Sequence, residues 1–131
     1  MILELTSGAI ATLLTEAARA HPLECCGLLL GEGGRIERAV PAANVHPDPA
    51  RHFEIDPAAL IAAHRAARSG GPHVLGYYHS HPNGHPLPSA TDCENAGHGG
   101  AVWAIVAAGE IGFWCDEAGG FERLSTRVVP G

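Results

Sequence analysis

His79 and His81 stand two residues apart, and Ser89-Ala90-Thr91-Asp92 begins after a gap of seven residues. On a β-strand, residues i and i+2 point to the same face, so the two imidazoles lie side by side. Imidazole nitrogen and carboxylate oxygen both bind zinc at about 2.0–2.1 Å. The intervening Pro82–Pro88 stretch turns the chain, and a helix starting at Ser89 brings Asp92 back in its first turn. Two histidines and one carboxylate leave a fourth position open to water, whose pKa zinc lowers toward roughly 7. Hydrolysis by such a water also needs a group that takes and returns protons. Glu24 is the candidate, because a carboxyl entering the apolar run Glu24–Gly31 needs a reason to be there.

Each piece alone is ordinary. A bare H-x-H is usually a pair of strand histidines, and Ser89-x-x-Asp92 alone is a helix capping box. On that reading Asp92 cannot fully serve both a cap and a metal. His85 reads as a solvated loop residue, and His98 as a cation near a helix end, where the dipole favours it. His21, His46, His52, His64 and His73 receive no role. Cys26 and Cys93 read as core packing, Tyr77 and Tyr78 as packing, and Arg65 with Arg68 as a solvated helix face. The combination of Glu24, His79, His81, Ser89 and Asp92 carries the signal.

That combination resembles the JAMM motif of the JAB/MPN metallopeptidases: a Glu, then His-[Ser/Thr]-His, seven residues, and Ser-x-x-Asp. Pro22, Glu24, Cys26, Gly27, Leu29 and Gly31 also match the family's P-x-E-x-C-G-x-L-x-G strand. The resemblance, of the small stand-alone prokaryotic type, implies a JAB/MPN fold, distantly similar to the cytidine deaminases. It implies one Zn2+ per chain on His79, His81 and Asp92. It further implies Glu24 as general base and then general acid, and Ser89 as hydroxyl donor to the oxyanion. Ser80 points to the other face of its strand and reads as structural. The implied substrate is the C-terminal Gly-Gly tail of a ubiquitin-like or sulfur-carrier protein, including release of a C-terminal amino acid such as cysteine. The alternative is a non-catalytic MPN scaffold, which the full ligand set opposes. A zinc deaminase would need H-x-E and P-C-x-x-C, and neither is present.

These residues need a scaffold. The pattern predicts a strand at Ile2–Leu5 and a helix over Ser7–Ala20, with Ile10, Leu13, Leu14, Ala17 and Ala18 as its apolar stripe. Strands follow at Glu24–Gly31 and Arg35–Val40, then a proline-rich loop over Pro41–Ala50 and an extended Arg51–Ile55. Asp56-Pro57 opens a second helix running to about Ser69. Val74–His81 is the strand bearing the histidines, and Ser89 opens a short helix. Ala101–Ala107, Glu110–Cys115 and Phe121–Val129 complete the strands. The order predicts an α/β domain over 1–131, one mixed sheet flanked by helices, with no deep apolar pocket.

The 131 residues are 46% hydrophobic and 17% charged, enough for a real core. A net charge of −6 with no polybasic run opposes nucleic acid and acidic membranes as partners. No signal peptide is read at the N-terminus, and four cysteines without a C-x-x-C pair suit a cytoplasmic protein. An oligomer is compatible with the sequence, which carries no signature for one.

Overall fold

The computed structural model describes residues 2–131. Its elements are β1 (Ile2–Thr6), α1 (Ser7–Ala20), β2 (Cys26–Glu32), β3 (Arg35–Ala42), α2 (Pro57–Arg68), β4 (His73–Ser80), α3 (Ala90–Asn95), β5 (Val102–Ala107), β6 (Glu110–Glu117), β7 (Gly120–Arg123) and β8 (Ser125–Val129). The strands form one eight-stranded sheet in the order β7-β6-β5-β4-β2-β3-β1-β8. It is mixed: β1 runs parallel to β3 and β8, and β4 parallel to β5, while the other neighbours are antiparallel.

Alternation along β4 divides the chemistry from the core. Tyr78 faces α1 and is fully buried in a cluster with Leu13, Leu29, Ile36, Ala104 and Val106. His79 is turned to the opposite face, and there its ring meets Phe53 and Trp103. Thr6 fixes α1 to this frame: its hydroxyl accepts from the Ala9 amide at 3.1 Å and donates to the Glu37 carbonyl at 2.8 Å. The apolar stripe of α1 is centred on Ala9 and Leu13, with Leu14 left 36% exposed. The expected stripe therefore lies too far round the helix. Asp56 caps α2 by accepting from Ala58, with Pro57 in the first turn.

Three expectations shift. The strand expected from Glu24 begins at Cys26, because the Glu24 and Cys25 amides bond to Pro49 and Ser80 instead of a ladder neighbour. The extended Arg51–Ile55 segment makes only one bridge, Asn44 to Ile55. Phe121–Val129 divides in two: β7 pairs with β6, and β8 crosses to the far edge to lie parallel to β1.

The loop after β4 is also tied down. The Trp114 indole N–H donates to the Pro86 carbonyl at 3.1 Å. That carbonyl lies so close over Gly112 that a Cβ at this position would collide with it. Gly112 thus lets the loop between β4 and α3 seat against β6, and this seating delivers α3 to the end of β4.

Candidate metal and catalytic site

At the end of β4, the Nε2 atoms of His79 and His81 are 3.0 Å apart. Asp92 Oδ2 lies 3.1 Å from the first and 3.2 Å from the second. Ligands placed tetrahedrally around zinc at about 2.0–2.1 Å are separated by about 3.3 Å. The spacing of the three atoms therefore suits one small cation at their centre, and these residues can hold a metal ion. The protonation pattern agrees. His81 Nδ1 sits 2.8 Å from the His85 carbonyl, so neutral His81 donates that proton and leaves Nε2 bare. Its lone pair then faces the Asp92 oxygen, a contact that only a proton or a cation makes favourable. Burial lowers the His79 pKa despite Asp92 beside it, which keeps the ring neutral, as a metal ligand must be. Burial works to raise the Asp92 pKa, but the His79 and His81 imidazoles beside it, with the Ser89 amide that donates to it, outweigh burial and hold the carboxyl well below the usual range.

Position comes from three directions. His79 is 1% exposed, its ring stacked on Phe53 at 4.2 Å and edge-on to Trp103 at 5.7 Å. His81 lies one residue past β4, yet its amide continues the ladder to the Val106 carbonyl at 2.8 Å. Asp92 arrives through the capping box: Ser89 Oγ accepts from the Asp92 amide at 3.0 Å, and Asp92 Oδ2 accepts from the Ser89 amide at 2.9 Å. Asp92 was expected to be unable to serve both cap and metal fully. The same Oδ2 atom makes the cap and faces both imidazoles, because a carboxylate oxygen has more than one lone pair. Ser89 likewise spends only a lone pair on the cap, so its hydroxyl proton is free to donate.

A pocket of about 380 Å³ opens over this cluster, lined among others by Glu24, His81, Ser89, Asp92, His52 and Phe53. Glu24 is 8% exposed, and burial pushes its carboxyl up to about 7, with Asp92 and Asp48 adding and His81 opposing. Its main chain is held on both sides. The Glu24 amide donates to the Pro49 carbonyl at 2.8 Å, and Asn44 Nδ2 donates to the Glu24 carbonyl at 2.9 Å. Ser80, between the two histidines, grips the next residue: its hydroxyl accepts from the Cys25 amide at 2.9 Å and its amide donates to the Cys25 carbonyl at 3.1 Å.

Several residues given no role, or another one, belong to this region. His46 and His52 line the pocket, and the contribution of His85 is its carbonyl. Asn44 carried no signal beyond its place in a proline-rich loop. Cys93 is exposed rather than core, and His98 lies in a loop past α3, its amide bonded to Asp116 at 3.1 Å. An apolar groove of about 540 Å³, walled by Phe53, Ile55, Leu60, Tyr77 and Trp103, adjoins the pocket. No sequence pattern announces it, since its walls come from four separate segments.

The family model described as prokaryotic homologs of the JAB domain matches residues 6–116. The chain belongs to that family. It is 40% identical over 91 residues to a desampylase of Haloferax volcanii, covering 68% of this chain and 66% of that protein. It is 42% identical over 88 residues to a "Probable TtuB-protein conjugate cleaving protease" of Thermus thermophilus, covering 63% and 59%. It is 29% identical over 108 residues to a CysO-cysteine peptidase of Mycobacterium tuberculosis, covering 81% and 73%. The match thus spans slightly under two thirds of the first two relatives. The solution structure of a Desulfitobacterium hafniense protein, 28% identical, superposes with a TM-score of 0.86 over 99% of this chain and 94% of that one. That likeness extends to the mixed sheet and its helices, the fold expected from the resemblance.

Two outcomes follow from the geometry. The purified chain should load about one zinc ion, with affinity falling as pH drops and protons compete for the ligands. His79→Ala and Asp92→Ala should abolish loading; full zinc content in a His79→Ala/His81→Ala double variant would overturn the assignment. The second concerns the metal-free protein. Between the ordinary Glu value and about 7, folded Glu24 keeps a proton that the unfolded chain has lost, so its contribution to stability falls as pH rises through that window. Glu24→Gln removes this dependence. Urea unfolding should show the variant gaining on the parent from pH 5 to pH 8, by up to about 3 kcal/mol. A difference independent of pH would show that Glu24 is not held in its neutral form.

Proposed function

We propose that this protein is a zinc-dependent peptidase that hydrolyses the amide bond following the C-terminal Gly-Gly tail of a ubiquitin-like or sulfur-carrier protein, with release of a C-terminal amino acid such as cysteine as one form of that reaction. The observation that carries the reading is the convergence of His79, His81 and Asp92 beneath a pocket that also holds a near-neutral carboxyl, Glu24. The names of the three relatives, a desampylase, a conjugate-cleaving protease and a CysO-cysteine peptidase, support the reaction class and the kind of substrate.

In this reading His79, His81 and Asp92 hold the zinc. When bound, zinc supplies Lewis acidity, polarising a carbonyl and making water acidic near neutral pH. Glu24 takes the proton from the attacking water and returns it to the leaving amine, work suited to a carboxyl titrating near 7. The Ser89 hydroxyl donates to the carbonyl oxygen as it gains negative charge. His81 is kept in the ligating tautomer by the His85 carbonyl. A Gly-Gly tail suits the approach because it has no side chains to place beside the His81–Ser89 loop. It cannot extend the sheet at this point, since β4 is paired on one side by β2 and on the other by β5. The tail is held by the loops and the folded body of the carrier. The four free cysteines fit a cytoplasmic setting.

Glu24→Gln should retain zinc and lose turnover by about a hundredfold or more. Ser89→Ala should lower kcat more than it raises KM, because the donated hydrogen bond matters mainly in the transition state. A native rate in Glu24→Gln would move the proton shuttle elsewhere, and an effect of Ser89→Ala on KM alone would leave Ser89 only its cap.

Mass spectrometry of cleavage products tests the substrate. An intact carrier ending in Gly-Gly-X should be cut with much higher kcat/KM than a free peptide of the same tail, because ordering a flexible glycine tail is costly. Replacing the second Gly with a bulky residue should block the reaction. Equal kcat/KM for peptide and carrier would remove the carrier body from recognition, and indifference to the Gly replacement would make this a general peptidase.

A further inference from the structure

Glu24 stands outside the sheet, in the turn before β2, so the ladder does not set its position. What sets it is the segment between β3 and α2, and within that segment one side chain makes the decisive contacts. The Asn44 side-chain amide makes four hydrogen bonds, two from each end. Nδ2 donates to the Glu24 carbonyl at 2.9 Å and to the His52 carbonyl at 3.0 Å. Oδ1 accepts from the His46 amide at 3.1 Å and from the Glu54 amide at 3.0 Å.

The partners of these bonds have a common location. Glu24, His46 and His52 line the catalytic pocket, and Phe53, between the bonded His52 and Glu54, stacks on His79. One planar amide therefore ties the main chain of the candidate base to the segment that walls the first metal ligand. The Pro49 carbonyl, on the same loop, takes the Glu24 amide. The loop and the turn thus grip each other at two points, and Asn44 supplies the one that also organises the loop. An aspartate could accept but not donate here, and a serine reaches fewer partners, so the geometry uses both ends of the amide.

We propose that Asn44 is a positioning residue: its side-chain amide sets where the Glu24 carboxyl stands relative to the His79–His81–Asp92 cluster. It makes no hydrogen bond to the three ligands, and its effect on the reaction runs through Glu24. This rests on the proposed function for its kinetic consequence, while its structural consequence is measurable without any substrate.

The experiment compares Asn44→Ala, and Asn44→Ser as a milder variant, in the parent and in Glu24→Gln backgrounds. Zinc affinity, measured with the metal alone, should stay within about threefold of the parent. Amide hydrogen exchange by NMR should accelerate at Glu24, His46 and Glu54 by about tenfold or more, while the core amide of Ala104 is unchanged. On a cleavable Gly-Gly-X carrier, kcat should fall about tenfold or more with KM within about twofold, and the fall should vanish in the Glu24→Gln background. A general loosening of the fold would instead lower the residual Glu24→Gln rate by the same factor. That outcome, unchanged exchange at Glu24, or loss of zinc would each overturn the proposal. If neither variant folds, Asn44 is a folding determinant and the positioning claim is dropped. If no carrier is cut by the parent protein, the functional reading fails, while the exchange and zinc measurements still decide whether Asn44 holds Glu24.

Discussion

Ring nitrogens of His79 and His81 and a carboxylate oxygen of Asp92 meet within 3.2 Å of one another, a grouping of ligand atoms that can hold a cation. Much of the surrounding structure can be understood as restraint on those three groups. The α1 face of the sheet is packed with aliphatic side chains, which makes β4 rigid and central. The opposite face gives up ordinary packing and uses Phe53 and Trp103 to immobilise His79. The capping box that starts α3 is also the device that aims Asp92. Local helix chemistry and site chemistry thus share the same atoms, and neither could be altered alone.

The pocket drives two carboxyls in opposite directions. Asp92 is as secluded as Glu24, but two imidazoles and the Ser89 amide surround its charge, so ionisation is favoured. Glu24 has no such partners, and burial keeps its proton to about pH 7. Environments that push two neighbouring acids apart are how a site separates a ligand from a proton carrier. The separation needs no difference in residue chemistry: it depends on which of the two reaches the histidines, and hence on the seating of α3 and of the turn before β2.

How much of this the sequence carried can be seen residue by residue. His79 and His81 were placed on one face by strand alternation, and Asp92 by the first turn of a capped helix, because both rules are local. The start of β2, the single bridge at Asn44 and the crossing of β8 to the far edge were not legible. Each depends on a distant partner: Pro49 and Ser80 for the turn at Glu24, Ile55 for Asn44, and β1 for β8. Asn44 was invisible for the same reason, since an asparagine between prolines reads as a turn residue until its four bonds are seen. Cys93 was misplaced because the short α3 shows only part of one face to the protein, and periodicity has little to work on in six residues.

Topology also limits how any chain can approach. The free edges of the sheet are β7 and β8, while β4, at whose end the cluster lies, sits between β5 and β2. Main-chain pairing, the simplest way for a protein to hold an extended tail, is therefore closed at the point of chemistry. The walls of the pocket come instead from the loop between β3 and α2 and the one between β4 and α3. Loops left free would give a poorly defined site, and both are fastened to the sheet side: the first through Asn44 and the Pro49 carbonyl, the second through Trp114 and the Pro86 carbonyl. A site that cannot borrow order from a strand edge must build it into its loops, and here it does so with hydrogen bonds to main-chain carbonyls, which hold the backbone while leaving neighbouring side chains free to vary.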